Sequence, residues 1–156
     1  MNNNITSIGV YAFAGSTSKK NAINVLALPA NLTSIGEYAF SRNNAVAFTS
    51  IPDGIEVLSR ECFYGCNNVC INTFGGDKSK LTTIKSRCFR QAGQDVTSNI
   101  LENLYFGIKV VNLEDDAFTQ YGSSDGAIAV YTPNSEEDLA WNTAKIFGAN
   151  TQVNYN

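Results

Sequence analysis

The chain has 156 residues, of which 44% are hydrophobic and 16% are charged, and its net charge is -3. This length favours a single domain that needs no metal or disulfide to fold, and the composition excludes a disordered chain. There is no histidine, so a Ser-His-Asp or Cys-His triad cannot form within the chain. The small negative charge gives no reason to expect a nucleic-acid partner, and no apolar run approaches the roughly 20 residues of a membrane span. The first residues do not resemble a signal peptide.

A nine-residue pattern occurs five times along the chain. It consists of an aliphatic residue, two variable residues, a second aliphatic residue, three variable residues, Ala or Cys, and Phe. The five copies are ITSIGVYAF from Ile5, LTSIGEYAF from Leu32, IEVLSRECF from Ile55, LTTIKSRCF from Leu81 and VVNLEDDAF from Val110. Their phenylalanines recur at intervals of roughly 23–29 residues, a period that is typical of solenoid repeats. We therefore expect a solenoid in which each turn buries the apolar side of its neighbour.

A second apolar segment follows each nonapeptide and is expected to form a strand. The segments are VLALP from Val25, FTSIP from Phe48, VCIN from Val69, NLYF from Asn103 and AIAVYTP from Ala127. Their alternation and β-branched content favour strands, and Pro29, Pro52 and Pro133 would end three of them, because proline cannot donate to a ladder. Each turn is therefore expected to have two faces, stacked on its neighbours at strand spacing.

These segments resemble the BspA-like leucine-rich repeat family. The family's unit is matched closely by LTSIGEYAF with FTSIPDGI and by CFYGCNNV with its Cys66. The resemblance covers nearly all of residues 5–133. In the fourth and fifth repeats, NTFGGDKSK and LYFGIK stand where the family has Ile-Pro, so strand ends there are less well defined. The resemblance implies a strand-rich α/β leucine-rich-repeat solenoid with a parallel sheet and a C-terminal capping helix. It also implies about five repeats, each of roughly 23–29 residues.

The C-terminal segment does not repeat the pattern. We expect residues 1–133 to form the repeats and residues 134–156 a cap within the same domain. A helix is expected to begin after Asn134 or Ser135, with acidic residues in its first turn, and to end at Gly148 before a short TQVNY strand. At the other end, Ile5 begins a repeat with only four residues before it. An upstream domain or self-association is therefore expected at this N-terminal edge.

Four cysteines have three possible roles. Cys62 and Cys88 fill the small position held by Ala in the other nonapeptides, Cys66 lies in the turn after Phe, and Cys70 is expected in a strand. Their positions favour core thiols over a Cys62–Cys88 disulfide or a zinc site. No cofactor is expected.

Aromatic residues are expected in two environments. The five phenylalanines of the nonapeptides should form a buried stack. Tyr11 and Tyr38 lie next to the small buried position and should face solvent, where they could pack on the surface or contact a sugar or a protein. Later repeats have Glu61, Arg87 and Asp116 at the same position.

Charge differs between the two parts of the chain. Residues 1–101 carry 9 basic and 6 acidic side chains, whereas residues 102–156 carry 2 and 8. Solvated repeat edges are the simpler explanation, and a docking surface or head-to-tail contact is the alternative. The acidic run Glu114, Asp115 and Asp116 is poorly arranged for a glycosidase pair, because consecutive strand residues face opposite sides. It is no better suited to calcium.

Three functions are compatible with these features. The first is a non-catalytic binding module for a protein or glycan, because a solenoid can vary its outward residues without disturbing its core. The resemblance implies adhesion by a cell-surface or secreted protein. The second is an assembly segment of a larger surface or virion protein, and the third, disfavoured, is a carbohydrate-active enzyme. The candidate binding surface comprises Thr6, Ser7, Thr33, Ser34, Glu56, Thr82, Thr83 and Asn112 on the strands, with Tyr11, Tyr38, Arg60 and Arg87 near their edge.

Overall fold

The computed structural model describes residues 4–15, 27–97, 99–122, 128–139 and 141–155. Within these residues, nine short strands wind as a parallel β-solenoid of about five turns. The nonapeptides supply β1 (Ser7–Ile8), β2 (Ser34–Ile35), β3 (Val57–Leu58), β5 (Thr83–Ile84) and β7 (Asn112–Leu113). The other strands are β4 (Thr73–Phe74), β6 (Asn103–Phe106), β8 (Ala129–Thr132) and β9 (Gln152–Tyr155). The predicted solenoid is therefore confirmed.

Three parallel sheets arise from this winding. β1 pairs with β2, and β3, β5 and β7 form a second sheet, with Val57, Thr83 and Asn112 in register. The third sheet has the order β4, β6, β8, β9. In β1, β2, β3 and β5 the second residue of the strand points into the core and the first points outward. One face of the solenoid is thus formed by the variable residues of the nonapeptides.

Each nonapeptide turns sharply after its strand. The residue two places before Phe has a left-handed backbone, although it is never glycine, with φ between 52° and 64°. These residues are Tyr11, Tyr38, Glu61, Arg87 and Asp116. A bulky residue in this region is disfavoured unless the surrounding structure imposes it. Here successive turns are joined by hydrogen bonds such as Tyr38 N–H to the Arg60 carbonyl at 3.1 Å, which fix the conformation.

The phenylalanines form a continuous ladder through the core. Neighbouring ring centroids lie 5.2 to 5.6 Å apart with nearly parallel planes. Phe40, Phe63, Phe89 and Phe118 are buried, as predicted. Phe13 is only half-buried, so the prediction of five buried rings is wrong at this position. The Phe13 ring lies in the first turn, at the end of the ladder, and stacks on Phe40 of the second turn.

Two of the five predicted second strands are confirmed, and the described parts of the other three are not strands. NLYF is a strand and AIAVYTP contains one, although Ala127 is outside the described residues. FTSIP and VCIN are not strands, and the strand after VCIN is β4. Of VLALP, Val25 and Leu26 lie outside the described residues and the remainder is not a strand.

A buried side chain explains the absence of a strand at VCIN. The backbone N–H of Ile71 donates to the Tyr121 hydroxyl at 2.9 Å, and this hydroxyl donates to the Ile71 carbonyl at 2.6 Å. A phenol therefore takes the hydrogen bonds that a neighbouring strand would otherwise satisfy. Cys70, which we expected in a strand, is half-buried outside any strand.

The C-terminal helix is confirmed but is shorter than predicted. Glu136–Asp138 form a 3-10 turn, Leu139 is extended with φ -119° and ψ 108°, and the α-helix α1 spans only Thr143–Ile146. The extended backbone of Leu139 prevents one helix from running from residue 134 to 148. The cap of α1 is Asn142, whose side chain accepts a hydrogen bond from Lys145 N–H at 3.3 Å.

Leu139 and residues 141–147 continue the solenoid as an altered sixth nonapeptide. Phe147 follows Phe118 at the same interval as Phe118 follows Phe89, and its ring stacks on Phe118 at 5.3 Å. Phe118 N–H donates to the Ile146 carbonyl at 2.9 Å, in the way that ladder amides bond to the following turn elsewhere. Asn142 replaces the second aliphatic residue of the pattern and caps a helix instead.

No helix among the described residues is long and apolar enough to cross a membrane.

Candidate functional site

The surface that we call the front face is formed by the outward first residues of β1, β2, β3, β5 and β7 and by the residues immediately before β1, β2, β3 and β5. It comprises the strand residues predicted as a binding surface, which are Thr6, Ser7, Thr33, Ser34, Glu56, Thr82, Thr83 and Asn112. All are exposed except Thr82 and Thr83, which are half-buried. The structure therefore brings these eight residues to one side of the solenoid.

Two threonines of the front face are oriented by the backbone of the preceding turn. Thr33 Oγ1 donates to the Thr6 carbonyl at 3.0 Å, and Thr82 Oγ1 donates to the Glu56 carbonyl at 3.3 Å. The backbone N–H groups of both threonines donate to the same carbonyls. These side chains are consequently held in place before any ligand binds.

Tyr11 and Tyr38 form a stacked pair at the edge of the front face. Their ring centroids are 4.7 Å apart and their planes differ by 8°. Tyr11 is 59% exposed, in agreement with the expected orientation, whereas Tyr38 is half-buried. Because the rings face each other, one face of each is already covered.

Arg60 and Arg87 belong to a ladder of ion pairs along the same edge. Glu61 lies 3.5 Å from Arg60 and 3.4 Å from Arg87, and Asp116 lies 3.8 Å from Arg87 and 3.3 Å from Arg90. The arginine side chains are partly exposed, so each pair contributes little to stability. The two carboxylates offset two of the three arginine charges within this edge.

A groove lies where the front face meets the C-terminal segment. It has a volume of about 310 Å³ and is lined by Thr83, Val111, Asn112, Leu113, Glu114 and Trp141. Only Thr83 and Asn112 belong to the predicted surface. Trp141 occupies the third position of the altered sixth nonapeptide, which is in line with the outward residues of the front face.

The sequence carries a signal for Trp141 that the five-copy pattern misses. The spacing from Phe118 to Phe147 equals that from Phe89 to Phe118 and would have placed Trp141 in the next outward position. In the structure Trp141 Nε1 donates to the Val111 carbonyl at 3.0 Å. The indole thus bonds to the backbone of the preceding turn, while its ring packs edge-on against Phe106 at 5.4 Å.

The cysteines are part of the core and not of the front face. Cys62, Cys66 and Cys88 are buried, and all four cysteines, each within the described residues, are thiols and not disulfides. Cys62 Sγ and Cys88 Sγ are 3.3 Å apart, and Cys66 Sγ donates to the Phe40 carbonyl at 2.9 Å. Burial raises the pKa of the Cys66 and Cys88 thiols. Within the described residues no three His, Cys, Asp or Glu side chains are grouped as metal ligands.

The front face offers hydrogen-bonding groups, and the groove adds one indole. The groups of the described residues whose pKa is shifted are Cys66, Cys88, Tyr121 and Tyr155. None belongs to the front face or the groove. This arrangement suits recognition by contact.

The fold and the front face together define a repeat protein of the parallel β-solenoid class. A family model, the BspA type leucine rich repeat region, matches residues 1–124 with six copies. The chain therefore belongs to the BspA-type leucine-rich repeat family, and family membership points to a repeat-based binding module. Neither a curated protein nor a solved structure matches the chain.

Proposed function

We propose that the chain is a non-catalytic module that binds a protein ligand through the front face. The observation that carries this proposal is the continuous row of outward residues, exposed or half-buried, whose replacement leaves the phenylalanine ladder untouched. Solenoids use such surfaces for recognition. A role in adhesion at a cell surface is the setting that the sequence resemblance implies.

The aromatic residues favour a protein over a glycan as the ligand. A sugar ring stacks on an exposed aromatic face, and the mutual stacking of Tyr11 and Tyr38 already uses one face of each ring. Trp141 is half-buried, with its N–H used by Val111. The threonine and asparagine side chains, by contrast, suit the polar backbone and side chains of a protein partner.

An array experiment tests this proposal. The labelled full chain is applied to a protein array and to a glycan array, together with Ser34→Arg and Ser50→Arg variants whose folding is checked by circular dichroism. Ser34 is on the front face, and Ser50 is an equally exposed serine outside the strands. We expect protein signals that Ser34→Arg abolishes and Ser50→Arg retains. Signals confined to glycans, or lost equally in both variants, would contradict the proposal.

The alternative, an assembly segment, is supported by the first turn. A cavity of about 360 Å³ there has apolar walls that include Ile5, Ile8, Phe13 and Phe40. Val10 beside it is 60% exposed. Under this alternative, a second copy would cover this end, so that sedimentation shows association that Val10→Asp abolishes. A monomer at all concentrations would exclude self-association at this end, whereas docking onto an upstream domain would remain compatible with it.

A further inference from the structure

The groove ends at a strand edge with an unused acceptor. β7 is the last strand of its sheet, and the carbonyls of Thr82 and Ile84 in the preceding turn accept from the amides of Asn112 and Glu114. The corresponding carbonyls of β7 are those of Val111 and Leu113, which point away from β5. Trp141 Nε1 occupies the first. The Leu113 carbonyl accepts no hydrogen bond from any residue that the structure describes.

We infer that this groove binds an extended peptide segment that carries a basic residue. The inference rests on the proposed function and names the partner's chemistry at one end of the front face. The backbone of such a segment would donate to the Leu113 carbonyl, as a strand added to a sheet edge does. An unused backbone acceptor at a strand edge, beside a cavity, is what this mode of binding requires.

The requirement for a basic residue in the peptide follows from the contacts of the Glu114 carboxylate. Its Oε2 accepts from Ser86 N–H at 2.9 Å, and it makes no ion pair with the described residues. Asp115 is paired with Lys145 at 3.5 Å, and Asp116 is paired with two arginines. Within the part of the chain that the structure describes, Glu114 is therefore the one carboxylate of this acidic run without a cationic partner.

The charge of the surrounding chain supports the same partner. Residues 102–156 carry 8 acidic and 2 basic side chains. Lysine or arginine on an approaching peptide would be attracted to this part of the molecule. A charge-assisted hydrogen bond to Glu114 would then fix its position.

The apolar wall of the groove defines the neighbouring peptide residues. Val111 is 37% exposed, and the Trp141 ring lines the groove beside it. In an extended segment, alternate side chains point the same way. A basic residue directed at Glu114 would thus have aliphatic residues two positions away that contact Val111 or Trp141.

The experiment uses Trp141 as its reporter, because it is the chain's single tryptophan. A phage library of random dodecapeptides is selected on the full chain, and the enriched peptides are synthesised and titrated while Trp141 emission is recorded. Glu114→Gln removes the charge at constant size. Glu37→Gln is the matched control, since Glu37 is exposed and does not line the groove.

We expect enrichment of peptides with lysine or arginine between aliphatic residues. Their binding should shift the emission of Trp141 and should weaken at least tenfold in Glu114→Gln but not in Glu37→Gln. No enrichment, peptides without a basic residue, an unchanged emission or equal affinities for the two variants would overturn the inference. If the array ligand still binds in a Ser34-dependent manner, the proposed function stands and only the groove has been misassigned.

Discussion

Tyr121 connects two turns of the solenoid through a single buried hydroxyl. Its oxygen both accepts from and donates to the backbone of Ile71, 50 residues earlier. Because removal of the hydroxyl leaves two buried backbone groups without this partner, Tyr121→Phe should lower the free energy of unfolding at neutral pH by about 1–3 kcal/mol. Urea unfolding measures this loss, and a variant as stable as the wild type would contradict the prediction.

The same substitution also changes the response to alkali. Burial raises the pKa of Tyr121 above that of a tyrosine in the unfolded chain. Its contribution to stability is complete below about pH 10 and is lost as the pH rises further, because only the unfolded state releases the proton there. We expect the wild type to lose more stability than Tyr121→Phe between about pH 9 and pH 11. If the free energies of unfolding of the wild type and Tyr121→Phe fell in parallel as the pH rose, the hydroxyl would not titrate in this way.

The thiols should differ in reactivity according to their burial. Cys62, Cys66 and Cys88 are buried, and the raised pKa of Cys66 and Cys88 disfavours the reactive thiolate, whereas Cys70 is half-buried. We predict that Ellman's reagent modifies Cys70 first in the native protein and the other three only after denaturation. Cys70→Ser should abolish the early phase. An early phase that persists in this variant would contradict the prediction.

At the residue scale, the burial of residues at recurring positions could be predicted from the sequence, whereas the contacts of residues that occur once could not. The small position of the nonapeptide correctly predicted burial of Cys62 and Cys88. Tyr121 and Trp141 each form hydrogen bonds to the backbone of a residue far away in sequence. No local sequence pattern predicts such a contact. The predicted binding residues lie together on the front face, but their role in binding stays a prediction.

The phenylalanine ladder is the element on which the core depends. Phe63 is buried and stacks between Phe40 and Phe89, whereas the half-buried Phe13 stacks on Phe40 at the end of the ladder. Phe63→Ala should therefore cost about 3–5 kcal/mol. Phe13→Ala is the matched control and should cost less, because its ring is half-buried. Denaturant unfolding with equal losses for both variants would show that the ladder does not act as a stack.

Element type was predictable where the pattern recurs and less so elsewhere. The variable residues of the nonapeptides were expected on a strand face, and each nonapeptide does contain a strand. The second strands were harder to place because side chains compete for their hydrogen bonds, as Tyr121 does at Ile71. The C-terminal helix is short because Leu139 remains extended as part of a sixth turn, a tertiary constraint that helix propensity does not contain.

For the whole molecule, stability should vary along the solenoid axis. Phe13 N–H and Phe63 N–H both donate to the following turn, at 2.7 and 3.0 Å. Phe63 is covered by turns on both sides, and a terminal repeat has one stabilising neighbour in place of two. We predict faster hydrogen exchange at Phe13 than at Phe63 under native conditions. Equal protection of the two amides would indicate that the molecule opens only as one unit.

Because the ladder spacing is constant, the length of the solenoid along its axis does not depend on how many residues each turn contains. The sequence interval between ladder phenylalanines is shortest from Phe40 to Phe63 and longest from Phe89 to Phe118 and on to Phe147. The stacked rings are nevertheless always 5.2 to 5.6 Å apart. Between Phe63 and Phe89, for example, residues 76–78 form an exposed connection outside the stacked rings. Insertions at such connections can enlarge the lateral surface without altering the rise per turn. New contact surface can therefore be acquired in evolution, or by grafting, while the register of the front face is preserved.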